Sequence, residues 1–124
     1  MKHNFRELTI WKKSMNLVFE IYKLTRELPD IEKFTLVSQV NSSVVSIPSN
    51  IAEGTSRVSV KEMTRFLDIA LGSAYELETQ LLLISTLYKE LGEQAINLVN
   101  NINEIQKMIG GFKKKINETV SLSS

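Results

Sequence analysis

Two glutamates two residues apart, Glu76 and Glu78, and an amide–carboxylate pair, Asn50 and Glu53, are the side chains here whose types and spacing could do chemistry. Glutamates on helices can hold metal ions inside a bundle. Such sites also need a Glu-x-x-His pair on the supporting helices. No Glu-x-x-His occurs, and a spacing of two turns Glu76 and Glu78 toward different sides of a helix. The sole histidine, His3, sits at the N-terminus, where nothing orients it as a base for any of the serines. The absence of cysteine excludes a thiol nucleophile, a zinc–thiolate site and a disulfide framework. We therefore expect no catalytic residue, no metal and no cofactor, and do not read the chain as an enzyme. Asn50 and Glu53 lie one turn apart and read as architecture. They can satisfy a perturbed backbone, and Glu53 can reach the N–H groups that open the next helix.

The elements that must carry these residues are all helical. Leu8, Trp11, Met15, Val18 and Tyr22 form one apolar row, and Leu17, Ile21, Leu24 and Leu28 a second beside it, so a first helix is expected over 5–28. Pro29 ends it. Phe34, Val37, Val40, Val44, Ile47 and Ile51 keep helical spacing across 30–53, and that period outweighs the strand preference of the valine-rich run. Pro48 interrupts this helix and predicts a kink, with Ser46 or Ser49 helping the freed backbone groups. Gly54 reads as a left-handed cap. Ser59 and Glu62 make a capping box, opening a third helix over 60–91 with the stripe Ala70, Ala74, Leu77, Leu81, Ile84, Tyr88 and Leu91. Gly72-Ser73-Ala74 in its middle predicts a close helix approach. The fourth helix, 93–116, carries Leu98, Ile102, Ile105, Ile109, Phe112 and Ile116, with Gly110-Gly111 as a bend or tight contact and a frayed tail after it. The expectation is one all-α domain over 1–124, an up-down-up-down four-helix bundle whose second helix is kinked near Pro48. Asn50, Glu53, Gly54, Ser73, Glu76 and Glu78 would form its structural polar cluster.

Composition narrows the partners. The chain of 124 residues has a formal net charge of +1, too balanced to count as evidence of nucleic-acid binding by itself. The basic residues are nonetheless uneven. Lys2, Arg6, Lys12, Lys13, Lys23 and Arg26 crowd the first helix, and Lys113, Lys114 and Lys115 the end of the fourth. Those faces could engage RNA or DNA; the alternatives are a solvated surface and lysines complementing the dipole at the fourth helix's C-terminus. No aromatics interleave with the basic residues and no glycine-rich phosphate loop is present. Trp11, Tyr22, Tyr75 and Tyr88 read as packing or interface residues. Apolar surface on the first and third helices beyond one seam points to self-association. No signal peptide or membrane span is evident, so a soluble, cytoplasmic protein is expected.

Gln39, the run Ser46-Ile47-Pro48-Ser49-Asn50-Ile51-Ala52-Glu53-Gly54, and the run Gly72-Ser73-Ala74-Tyr75-Glu76-Leu77-Glu78 together resemble one family. Leu8-Thr9-Ile10-Trp11-Lys12 and Leu28-Pro29 also fit it. These are the four-helix-bundle proteins encoded in intervening sequences of bacterial large-subunit ribosomal RNA genes, related to the accessory variability determinant of diversity-generating retroelements. The resemblance implies a homopentamer and, for the retroelement members, binding to nucleic acid and to a reverse transcriptase. Asn41-Ser42-Ser43 stands where family members carry a pair of arginines, which removes two cations from that surface. The functional expectation is a non-catalytic oligomeric scaffold that binds RNA or DNA through helices one and four. The alternative is a protein-interaction module with no nucleic-acid role.

Overall fold

A computed structural model describes residues 4–123, with side chains as far as Thr119. His3 and Lys2 lie outside the described residues. Four helices follow one another: α1 (Thr9–Thr25), α2 (Leu36–Thr55), α3 (Val60–Leu87) and α4 (Gly92–Ser123). Among the described residues there is no strand. Each helix packs on two others, α2 against α3 most extensively, then α3 on α4, α1 on α2 and α1 on α4, which closes an up-down-up-down bundle.

The four stripes meet in one core. From α1 it takes Ile10, Leu17, Ile21 and Leu24, so the second of the two apolar rows faces inward. Trp11, Met15 and Val18 are half-buried and Tyr22 is exposed. Val40, Val44, Ile47 and Ile51 of α2 are fully buried, and the valine-rich run is helix. Ala70, Ala74, Leu77, Leu81 and Ile84 of α3 face Leu98, Ile102, Ile105 and Ile109 of α4. Small polar residues inside this core bond back along their own helices. Ser14 Oγ donates to Ile10 O at 2.6 Å and Thr55 Oγ1 to Ile51 O at 3.0 Å.

The helix ends depart from the pattern for local reasons. Asn4 caps only a single 3-10 turn, Phe5–Glu7, before Leu8 becomes extended (φ −72°, ψ 129°) and α1 starts at Thr9 rather than at 5. The break lets the Phe5 ring meet Trp11 edge-to-face at 5.3 Å, a contact that two residues six apart on one helix could not make. α1 is capped by Arg26, still helical in φ and ψ, and two tighter turns then carry the chain to a buried Leu28. α2 begins at Leu36, not 30. Asp30–Glu32 is an isolated 3-10 turn and Thr35 breaks the helix, so Phe34 falls outside the stripe and is 86% exposed. α2 continues through Pro48 to Thr55. Ser49 Oγ donates to Val45 O at 2.8 Å and Asn50 Nδ2 to Ser46 O at 2.8 Å, beside the Val44 carbonyl that Pro48 cannot serve.

Gly54 is not a left-handed cap. No glycine has positive φ among the described residues, and Gly54 lies inside α2. Its hydrogen is needed because α3 passes there: a Cβ would stand 2.9 Å from Phe66 Cβ and 3.1 Å from Met63 O. The approach expected at Gly72 is absent, since a Cβ there meets nothing within 4 Å, and the same holds at Gly110 and Gly111. Ser59 caps α3 by accepting from Glu62 N at 3.1 Å, as its spacing predicts. The Glu62 carboxylate turns to Arg65 at 3.0 Å. α3 ends at Leu87, four residues early, because Tyr88 leaves helical geometry and a 3-10 turn, Lys89–Leu91, follows. α4 runs to Ser123 instead of stopping at 116, so Lys113, Lys114 and Lys115 are not in its last turn and cannot serve as its terminal dipole partners.

Candidate functional site

The polar residues expected as one cluster occupy separate places. Asn50 and Ser73 come together through Ser46. Asn50 Nδ2 donates to Ser46 Oγ at 2.9 Å, and Ser46 Oγ shares a hydrogen bond with Ser73 Oγ of α3 at 2.8 Å. Thr25 Oγ1, on α1, donates to Asn41 Oδ1 of α2 at 3.0 Å. Glu53 does not reach α3; it pairs with Arg57 one turn on, at 3.3 Å. Arg57 then lies over the Phe66 ring at 4.9 Å, with Arg65 at 4.6 Å from the same ring. Glu78 accepts from Gln106 Nε2 of α4 at 2.8 Å, tying α3 to α4. Glu76 is exposed on the other side of α3 and has no ion-pair partner among the described residues. Glu76 and Glu78 thus diverge as their spacing requires. Among the described residues no group of three or more His, Cys, Asp or Glu side chains comes together.

Glu76 opens onto a polar groove between α2 and α3. Ser38, Gln39, Ser42, Ser43 and Ser46 form one wall, and Ser73, Glu76 and Gln80 the other. Ser38, Ser42 and Ser46 repeat every fourth residue, which puts them on one face of α2. That repeat was readable in the sequence; the opposing Gln80 was not, because nothing local marks which residue of α3 faces it.

An apolar cleft lies on the neighbouring side of α2. Trp11, Met15 and Val18 of α1 and Val45, Pro48 and Ala52 of α2 line it, with Ser49 as its polar member. Phe19 (60% exposed) and Tyr22 continue the α1 stripe beyond the cleft. The spacing of the α1 row did not separate it from the core; the structure sets it at the core's edge, with Leu8, Trp11 and Val18 half-buried against the core and Tyr22 exposed.

The basic residues are spread along the bundle. Lys13 joins α1 to α4 through Glu104 at 2.6 Å, Lys23 pairs with Glu20 at 3.3 Å, and Lys113 pairs with Asp68 of α3. Arg6 lies 5.7 Å from the centre of the Phe5 ring. Lys12, Arg26, Lys114 and Lys115 are exposed and make no ion pair among the described residues. The Lys13–Glu104 pair sets the register of antiparallel α1 and α4. It puts Lys113–Lys115 near the N-terminal end of α1, and Lys23 and Arg26 at the far end, roughly 15–20 Å from Lys13 at 1.5 Å per residue.

Two groups are electrostatically perturbed. Tyr88 donates to Glu32 across the end of the bundle, and Thr35 donates to the same carboxylate at 2.7 Å. The Tyr88 hydrogen bond, then that of Thr35, holds Glu32 below the usual carboxylate range, and the Glu32 carboxylate pushes Tyr88 up. Both lie in the loops, away from the groove and the cleft. No helix is long and apolar enough to cross a membrane among the described residues.

A four-helix bundle with a Pro-containing second helix and a Ser46–Ser73 bridge is a fold before it is a function. Residues 6–111 match the model of the 23S rRNA-intervening sequence protein family. The chain belongs to that family. A solved relative is a protein of unknown function from the S23 ribosomal protein family of Bacteroides thetaiotaomicron VPI-5482. It is 29% identical, covers 86% of this chain and 99% of its own, and superposes with a TM-score of 0.78. No curated protein matches this intervening-sequence protein.

Proposed function

We propose that this intervening-sequence protein is a non-catalytic, self-associating scaffold whose copies meet through the α1–α2 face. The apolar cleft of Trp11, Met15, Val18, Val45, Pro48 and Ala52 carries the reading, extended by the exposed rings of Phe19 and Tyr22. An apolar cleft flanked by further exposed rings is a candidate association surface. A second copy is a suitable partner: the cleft is lined by no charged side chain, and a net charge of +1 imposes little repulsion between copies. Five copies are the number that the family resemblance implies. Sedimentation velocity of the wild type and of Val45→Glu tests this. The wild type should sediment as an assembly and the variant, folded by circular dichroism, as a smaller species. A wild type that stays monomeric at tens of micromolar would remove the reading.

A second role, binding of RNA or DNA, is supported by Lys12, Arg26, Lys114 and Lys115, which no carboxylate pairs with among the described residues. Such binding would weaken steeply with salt as counterions are released. Retention on the protein that is indifferent to salt, or absent at low salt, would exclude it.

A further inference from the structure

The groove between α2 and α3 is not used by either reading above, and its chemistry is one-sided. Glu76 is its one charged wall residue, and the remaining polar side chains are serine hydroxyls and two amides. Gln80 is only 9% exposed, yet its Oε1 has no hydrogen-bond partner. A buried carbonyl oxygen without a donor is destabilising. The groove, ≈ 510 Å³ in volume, thus sets an unpartnered amide oxygen beside a carboxylate.

Among the described residues no side chain donates to Gln80 Oε1. Ser46 and Ser73 satisfy each other at 2.8 Å. Arg57 and Arg65 are engaged at the α2–α3 turn, over Phe66. Position 42 is a serine, too short to span the groove.

We propose that this groove is a receptor for an arginine side chain presented by another protein. Guanidinium carries five N–H donors in a planar fork and no acceptor. One edge of it suits the Glu76 carboxylate as a bidentate partner. Glu76 and Gln80 are four apart on α3, within about 6 Å of each other on one face, and a free N–H of the same group meets the Gln80 amide once that side chain turns its oxygen into the groove. The serine oxygens of positions 42 and 43 can accept what remains. An ammonium is a single point of charge with a tighter hydration shell and cannot serve carboxylate and amide together. On α2 the groove residues point about a quarter turn away from the apolar cleft. The groove and the cleft share no lining residue, so the two sites can be occupied independently. This site stands whether or not the chain self-associates.

The test uses the full-length chain, isotope-labelled, titrated at low ionic strength with the end-blocked tripeptide Gly-Arg-Gly. Lysine and citrulline versions of the peptide serve as comparisons. The expected result is a saturable shift of the Gln80 side-chain amide and of the Ser42 and Ser73 backbone amides with the arginine peptide. The lysine peptide should bind several-fold more weakly, and the uncharged citrulline peptide should give no response. Glu76→Gln, at an exposed position and therefore folded, should weaken binding about tenfold, and Gln80→Met should do so without loss of the carboxylate. No response up to about 10 mM peptide would overturn the proposal, whether the groove is inert or already filled by a neighbouring copy. Equal binding of the three peptides, or unchanged binding to Glu76→Gln, would overturn it as well.

Discussion

The hydroxyl of Tyr88 donates to the carboxylate of Glu32, 56 positions earlier in the chain, and ties the end of α3 to the loop between α1 and α2. Glu32 titrates below its ordinary value of 4.5 in the folded chain. Its contribution is therefore present above that value and lost as pH falls through the lowered one. Tyr88 titrates above its ordinary 10.0, so its contribution is present below 10.0 and lost as pH rises through the raised value. The melting temperature of Tyr88→Phe should lie below that of the wild type across the interval between. The gap should begin to narrow below pH 4.5 and above pH 10.0, and close beyond the lowered Glu32 value and the raised Tyr88 value. A gap between the two melting curves that is the same at acidic and neutral pH would show that the clasp is not what the substitution removes.

Two glycines should respond in opposite directions to the same substitution. Gly54→Ala drives a methyl into Phe66 Cβ, 2.9 Å away, which neither backbone can easily yield. A loss of about 1–3 kcal/mol is expected in urea titrations. Gly72→Ala places its methyl in open space on an exposed helix face, and should gain about 0.5–1 kcal/mol.

The Ser46–Ser73 bridge should be read by a double-mutant cycle. Either Ser46→Ala or Ser73→Ala alone strands a part-buried hydroxyl and should cost about 1 kcal/mol. The double variant should cost less than the two summed, because the bond between the hydroxyls is lost only once, while the Asn50 donor to Ser46 Oγ is lost equally in both Ser46→Ala backgrounds. Strict additivity in chemical denaturation would mean that the two hydroxyls do not recognise each other.

Phe34 and Ile47 both keep the helical period of the 30–53 stretch, and only one is core. Phe34→Ser should change stability by no more than about 0.5 kcal/mol. Ile47→Ala should cost about 2–5 kcal/mol. Thermal melts of the two variants side by side would expose any error in where α2 begins.

The helices themselves were legible because each repeats its apolar residues over many turns, enough to override the strand preference of Val44-Val45. The cap at Ser59 was legible because its partner, Glu62 N, is three residues away. The start of α2 was not, since the apolar spacing runs on through Phe34 while the backbone breaks at Thr35, and the Tyr88 contact to Glu32 beside that break is remote in sequence. Gly54 was misread for the same reason: near a helix end a glycine looks like a cap, and the body it makes way for is on another helix. The α1 rows were both visible, but their spacing alone does not say which of two adjacent stripes meets the core. At the candidate site, the serine repeat of the groove was visible and the unpartnered Gln80 was not.

Four residues, 56–59, join α2 to α3, and these two helices share the most extensive interface in the molecule. Much of that interface therefore closes over a short loop, where the entropy lost on bringing partners together is small. A chain arranged this way should fold quickly, with the α2–α3 hairpin as its nucleus. Substitutions along that hairpin would slow refolding, whereas those confined to α1 would chiefly hasten unfolding.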